Sequence, residues 1–558
     1  MKATPRGTTP LTTRIGSILR AHGEAERRGV PVDEVLGEAA DARAEASGSS
    51  DRDRDRDRDR AQPSRRDALR VAGIAGAGAA LAMAAPMPAA AAAAKPAPAP
   101  SVAIVGAGLA GTRAAHWLWR TKGIASTVYE GSSRAGGRCY SLRGFFDDGI
   151  VVEHGGALIN TDHNAIRNLA SNLGLSLDVV SGGSYMGWED KYRIDGADYP
   201  YDDANADWGQ VYQAMKADLA AAPYCQTYDA HTAAGVALDE MTVDEWLAAK
   251  VPGGLSSRFA KLMQSNVMAE YGLDSHEQSA LNLVYLLGWN SQNSLSPING
   301  ADEKYLVRGG NDQLVTRMID ELPANTVRYG HELVAVKRNA DGTVRLSFKV
   351  GNQTIDKTVD RAILALPFTT LRECDLSQSG FSALTRRAID ELGLGANAKI
   401  HVQVSQRPWV SQGFGGAAYT NPSGFQCGWD DTASHPLPVG VYNFFPSGDQ
   451  VKAWSGVPFG TAPAAQVQNY LAQLEPIFPG VSAAYSGKAY RDFWWANRWS
   501  KGAYTCQRPG QYTQLFGVGA TPEGNVHFAG EHTSVEYYGF LNGAVTSGER
   551  AAKAVALS

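Results

Sequence analysis

Ser101-Val102-Ala103-Ile104-Val105 runs directly into Gly106-Ala107-Gly108-Leu109-Ala110-Gly111, and an apolar helical period (Ala114, Ala115, Leu118) follows. A short β-branched run, a glycine turn and a helix, in that order, predict the first unit of a parallel α/β sheet. Gly106 permits the tight turn, Gly108 lets the backbone approach a pyrophosphate, and Gly111 lets the helix pack on the strand. The free N–H groups of the helix N-terminus then face the phosphates. A second strand, Thr127-Val128-Tyr129, ends in Glu130, placed about twenty residues on, where a carboxylate accepts both ribose hydroxyls of an adenosine. In a chain with 60 glycines the glycine pattern alone says little; its place between strand and helix gives it meaning.

Outward from that unit, 558 residues with 44% hydrophobic side chains exclude a collagen-like or disulfide-stapled protein. The five cysteines are odd in number and widely spaced, so neither a metal cluster nor a disulfide framework is available, and no metal is expected. Residues 1–62 end in the alternating run Asp51 to Arg60 and carry too little apolar surface to offset ordering, which predicts a disordered extension. Residues 63–95 contain Ser64-Arg65-Arg66-Asp67-Ala68-Leu69, a short Ala/Gly-rich apolar run and small residues before Lys95-Pro96. This is twin-arginine signal grammar, and it predicts a secreted or extracytoplasmic protein with no stable membrane insertion after cleavage. Those first 95 residues hold 16 basic and 13 acidic side chains, so their removal takes the formal net charge from −5 to −8. An acidic body disfavours nucleic acid and weakly attracts cationic small molecules.

Glu130 followed by Gly136-Gly137-Arg138-Cys139-Tyr140-Ser141, then Glu153-His154-Gly155-Gly156-Ala157, resembles the flavin-containing amine oxidase family of monoamine and polyamine oxidases. The other half of the resemblance lies at the far end, in Phe528-Ala529-Gly530-Glu531-His532-Thr533-Ser534, Gly539-Phe540-Leu541-Asn542-Gly543-Ala544 and Ser547-Gly548-Glu549-Arg550. The resemblance implies FAD as cofactor, held by Gly106, Gly108, Gly111, Glu130, Gly137, Arg138, Gly156, Ala157, Val334, Gly530, Glu531 and Leu541. Arg138 would neutralise pyrophosphate charge, Glu531 would bond the ribityl–phosphate region, and the helix from Leu541 would aim its N-terminus at the flavin edge that gains charge on reduction. Val334 is the expected adenine-side backbone contact.

Two aromatic positions match the rings that stand on either side of the amine in this family: Tyr504 in Lys501-Gly502-Ala503-Tyr504-Thr505, and Phe540, where the family usually has Tyr. Tyr537 and Tyr538 are left between pocket and surface. Ala503 occupies the place of the flavin-bonded cysteine of animal monoamine oxidases, so the FAD is expected to be non-covalent. No lysine aligns after Pro367-Phe368-Thr369-Thr370-Leu371 for a role at flavin N5; Lys399 matches a different family lysine next to a strand and is not assigned that role, a buried ion pair being weighed at least equally.

The resemblance thus implies an α/β fold, a Rossmann-like FAD-binding domain of the glutathione-reductase type (100–165, 300–375 and 495–558) interleaved with an α+β substrate-binding domain (166–299 and 376–494). The expected reaction takes a primary or secondary amine and O2 to an imine that hydrolyses, with hydrogen peroxide as co-product; a homodimer is compatible with it. The alternative is an L-amino acid oxidase. Its carboxylate-binding arginine is replaced by Leu158, with Arg143 and Arg167 as substitutes. For a diamine, Glu270 or Asp274 would hold the distal ammonium.

Overall fold

Why the opening unit forms is visible in its burial: Val102–Val105 is buried along its whole length, as a central parallel strand must be. The computed structural model describes residues 100–180, 190–297, 302–436 and 438–557; the expected disordered extension and signal lie outside them. Five parallel strands form one sheet in the order Val526–Phe528, Arg361–Leu364, Val102–Val105, Ser126–Tyr129 and Val327–Arg328. Its strands come from both ends and the middle of the sequence. Apolar contact between the opening helix, Leu109–Lys122, and the C-terminal helix, Leu541–Leu557, closes the two ends together. A Cβ on Gly548 would lie 2.3 Å from the carbonyl oxygen of Ala110, so only glycine allows that approach. Arg113 pairs with Glu549 at 2.6 Å across the same contact.

A three-stranded antiparallel meander (Glu332–Arg338, Val344–Val350, Gln353–Val359) connects the edge strand Val327–Arg328 back to Arg361–Leu364. The remaining large element is an eight-stranded mixed sheet built from 191–198 and 398–493. Its central strand Ala398–Val404 is buried at all seven positions although it carries Lys399, His401 and Gln403. Helices between 201 and 287 pack a second apolar core around Trp208, Trp246 and Phe259. Among the described residues no helix is long and apolar enough to cross a membrane.

Candidate active site

The glycine turn comes first. Gly106 has φ +101°, a left-handed conformation that favours glycine, and its N–H donates to Tyr129 O at 2.7 Å. Glu130 reaches back from the second strand: its carboxylate accepts from the N–H of Ala107 and of Ser132, both at 2.8 Å. No side chain caps the opening helix at Gly108, which leaves its first-turn N–H groups for an anion. Beyond Gly108 the nearest atom to an added Cβ is Gly136 O at 4.0 Å, so a glycine-lined surface faces that N-terminus. These features fit the pyrophosphate of a dinucleotide. Val334 stands at a register shift in Glu332–Arg338, opposite no ladder partner, and its carbonyl accepts from Asp375 N at 2.8 Å.

Arg138 and Glu531, 393 residues apart, form an ion pair at 2.7 Å. Arg138 also donates to Ala503 O at 2.6 Å, and Glu531 accepts from Thr505 Oγ1 and Gly539 N. Burial opposes ionisation of Glu531, yet Arg138, His532 and these donors outweigh it and hold its carboxyl below the ordinary range. The pair is therefore fixed in place by its own contact and by the Ala503 carbonyl, the Thr505 hydroxyl and the Gly539 N–H.

The segment Glu153 to Ala157 is held from several directions. Asn311 donates to Gly156 O (3.0 Å) and Ala157 O (2.7 Å), while its own N–H donates to Glu153. Burial pushes Glu153 up to about 7. Leu541 packs on Gly156 so closely that an added Cβ would sit 2.9 Å from its side chain. Gly137 lies beside Gly108, and Gly530 opens the turn to Glu531 with φ +135°. Lys399, only 5% exposed, ends not in an ion pair but on carbonyls: its Nζ donates to Glu153 O and Gly155 O, both at 2.9 Å. Of the readings weighed for Lys399, the buried ion pair is not what holds its Nζ. A lysine within a fully buried strand was the available signal; Asn311 gave none beyond its glycine neighbours.

Tyr504 follows Ala503, and its hydroxyl donates to Ala269 O at 2.8 Å. The next residue, Glu270, sits near the C-terminus of helix Arg258–Tyr271, where carbonyl dipoles favour cations. Burial, then Glu270, Cys506, Glu303 and Cys427, drive the Tyr504 phenol far up. Phe540 contacts His163 (ring centroids 4.9 Å), and Asn160 links that ring to Glu303: its N–H donates to His163 Nδ1 and its Oδ1 accepts from Glu303 N. Glu270 and Glu303 therefore both act on the Tyr504 phenol, and Phe540 is joined to the Glu303 backbone through His163 and Asn160. Burial alone pushes Glu270 up to about 7; burial, Glu270 and Asp302 push Glu303 up to about 8. Neither carboxylate has a hydrogen bond or ion pair among the described residues. Asp274, the other carboxylate weighed from sequence, is occupied by Asp449 N at 2.9 Å. Tyr537 and Tyr538 are both buried, Tyr537 against His163 and Tyr538 hydrogen-bonded to Tyr512. Arg143 is engaged by Asp312 and Gly309, and Arg167 donates to Thr161 O and lies over Tyr305.

The family model described as flavin containing amine oxidoreductase matches residues 109–556. A putative L-amino-acid oxidase of Bacillus subtilis is 25% identical over 470 residues, covering 81% of this chain and 93% of that protein. Polyamine oxidase 3 of Oryza sativa subsp. japonica is 24% identical over 460 residues, covering 81% and 88%. Among solved structures, the cyclohexylamine oxidase of Brevibacterium oxydans superposes with a TM-score of 0.70 at 21% identity, covering 82% of this chain and 99% of that one, which shows the shared fold.

Proposed function

The chain belongs to the flavin-containing amine oxidoreductase family and is an oxidoreductase with a flavin cofactor; from that premise we propose that it oxidises small amines, with O2 and water, to aldehyde, ammonia or a shorter amine, and hydrogen peroxide. One observation carries the choice of amine over amino acid. Glu270 and Glu303 stand beside Tyr504 with no guanidinium to neutralise them, while Arg143 is tied to Asp312. Once ionised, above about 7 and about 8, these carboxyls would repel a substrate carboxylate and attract a second, distal ammonium, while the reacting amine stays neutral between the rings.

FAD would be held by the Gly106–Gly111 turn and the N-terminus of Leu109–Lys122 at its pyrophosphate, by Glu130 and Val334 on the adenosine side, by Arg138, Gly137, Gly530 and Glu531 in between, and by Gly156, Ala157 and the helix from Leu541 around the ring. The flavin supplies a two-electron acceptor. The chain supplies position: Tyr504 and Phe540 wall an apolar slot that favours the deprotonated amine, and Lys399 fixes the carbonyls of Glu153 and Gly155 behind it. Binding without a covalent link is our reading of Ala503, which offers no thiol. Nearby Cys506 is buried, and that burial pushes its thiol well up, away from reactivity.

Tyr504→Ala removes one wall of the slot. Since misplacing a reacting group by about 1 Å costs on the order of 10²-fold, we expect about that loss in kcat/KM with the bound-flavin spectrum retained; unchanged turnover in a peroxide-coupled assay would remove Tyr504 from the pocket. In the same preparations denaturation should release free FAD, and flavin remaining on the polypeptide would refute the non-covalent reading. The same assay across amines and amino acids decides the substrate class: a response to amino acids alone would overturn the amine assignment.

The interleaved domain division is likewise proposed, supported by the separate segments that feed the five- and eight-stranded sheets. Export by the twin-arginine route is proposed from residues 63–95. It suits a protein that must fold around FAD before leaving the cytoplasm, and replacing Arg65 and Arg66 by lysine should retain the protein there; continued export would refute it.

A further inference from the structure

Behind the Glu153–Ala157 segment lies a buried chain of four ionisable side chains that the amine chemistry does not use. His154 Nδ1 meets Asp492 Oδ1 at 2.5 Å, Asp492 Oδ2 meets His401 Nε2 at 3.0 Å, and His401 Nδ1 meets Asp431 Oδ2 at 2.7 Å. Trp429 Nε1 closes the outer end by donating to Asp431 at 2.7 Å. His154, His401 and Asp492 are at most 1% exposed. Asp492 at this depth, with Asp431 close behind at 8% side-chain exposure, needs a cation between the two carboxylates. His401, with one ring nitrogen on each, provides it as an imidazolium: burial opposes its charge, and the two aspartates overcome burial and raise its pKa.

The inner end of the chain is what gives it a consequence. His154 lies between Glu153 and Gly155, its ring stacked on Tyr140 with centroids 4.1 Å apart. Its carbonyl accepts from Trp494 Nε1 at 2.7 Å, and the carbonyls on either side accept from Lys399. Three successive carbonyls and the intervening side chain are therefore all taken by residues of, or directly following, two strands of the eight-stranded sheet, Ala398–Val404 and Tyr485–Phe493. Backbone so held has one orientation available to it.

We propose that Asp492, with His401 and Asp431 behind it, is a positioning residue for the cofactor: by holding His154 it fixes the Gly155-Gly156 turn against the flavin ring and ties that turn to the sheet bearing Lys399. This rests on the reading that Gly156 and Ala157 lie at the ring. Asp492→Asn keeps the shape but removes the charge, leaving the His401 cation with one carboxylate and the His154 N–H opposite an amide that serves only one of the two rings.

The test titrates apoprotein with FAD and records the visible band of the bound flavin. Asp492→Asn should raise the FAD dissociation constant at least about tenfold, the scale of one charge-assisted hydrogen bond, and change the band shape. Asp492→Glu should recover part of both. Asp430→Asn is the comparison: that carboxylate is equally buried in the same sheet but serves Thr432, Trp409 and Arg407, and its variant should bind FAD within about threefold of the parent. Should Asp492→Asn fail to fold, His154→Leu leaves the Asp431–His401–Asp492 triad intact and must show the same two changes. Unaltered affinity and band in Asp492→Asn or, if that variant does not fold, in His154→Leu overturns the proposal. So does equal loss in Asp430→Asn. Failure of the parent protein to bind FAD at all would instead overturn the flavin reading.

Discussion

Gly111→Ala protein is expected to purify colourless and to stay colourless when incubated with FAD. The added Cβ would lie 2.0 Å from the carbonyl oxygen of Gly106 and 3.1 Å from Ala365 Cβ. The first of these is backbone, in the same turn whose N–H groups are offered to the pyrophosphate, so relief requires opening the turn. Overlap of that kind belongs with the substitutions that cost more than about 4 kcal/mol, or on the order of 10³-fold in affinity. The measurement is the flavin absorbance of purified protein before and after incubation, with circular dichroism to confirm that the remaining sheets fold. A yellow variant of normal affinity would show that the turn does not carry the phosphates. The consequence would be centred on binding, because the atoms the added Cβ would meet belong to Gly106 and Ala365, not to the eight-stranded sheet.

The second large effect concerns the pocket acids. Glu270→Gln combined with Glu303→Gln should lower kcat/KM for a diamine relative to a monoamine of equal length by about 10- to 100-fold, the worth of a hydrogen bond to a charged group. The pH dependence has a definite sign. Burial raises the two carboxyls to about 7 and about 8, so they are protonated and neutral in mild acid, and selectivity for the dication should grow as pH rises through that interval. The same shifts act on stability in the opposite sense. Between about 4.5 and 8 the folded protein holds protons that the unfolded chain has released, so the substrate-free protein loses stability as pH rises across that window. Melting temperature against pH for the parent and the double variant tests this: the decline should flatten in the variant, and parallel profiles would show that these carboxyls do not carry the proton uptake.

The parts of the site that could be read from sequence are those whose reason is local. Gly111 acts through a steric limit within its own turn and Gly106 through its left-handed backbone, and Glu130 through its position at the end of the adjacent strand. The same holds for the run from Gly530 to Leu541, where a strand, a turn and a helix follow one another. Val334 was named as a backbone contact, but its bulge was invisible, because a register shift exists only between two paired strands. The partners of Lys399 are hidden for a related reason: a lysine in sequence suggests a carboxylate, and only the folded chain supplies two carbonyls from 246 and 244 residues away. Asp492 and His154 are 338 residues apart, and neither has a local feature that points to the other.

Sequence by itself determined that this chain makes a parallel α/β sheet with a glycine turn for a dinucleotide, because apolar runs, turn glycines and helix starts are set by the conformations available to neighbouring residues. It also supplied the two rings. Tertiary structure alone decided what surrounds them: that Glu270 and Glu303 lie near each other and near Tyr504 with no hydrogen bond or ion pair among the described residues, that Arg143 is spent elsewhere, and that the eight-stranded sheet holds the carbonyls of Glu153, His154 and Gly155. Those are questions of which charges meet in a low-dielectric interior, and their cost or gain depends on distances that no single stretch of sequence contains.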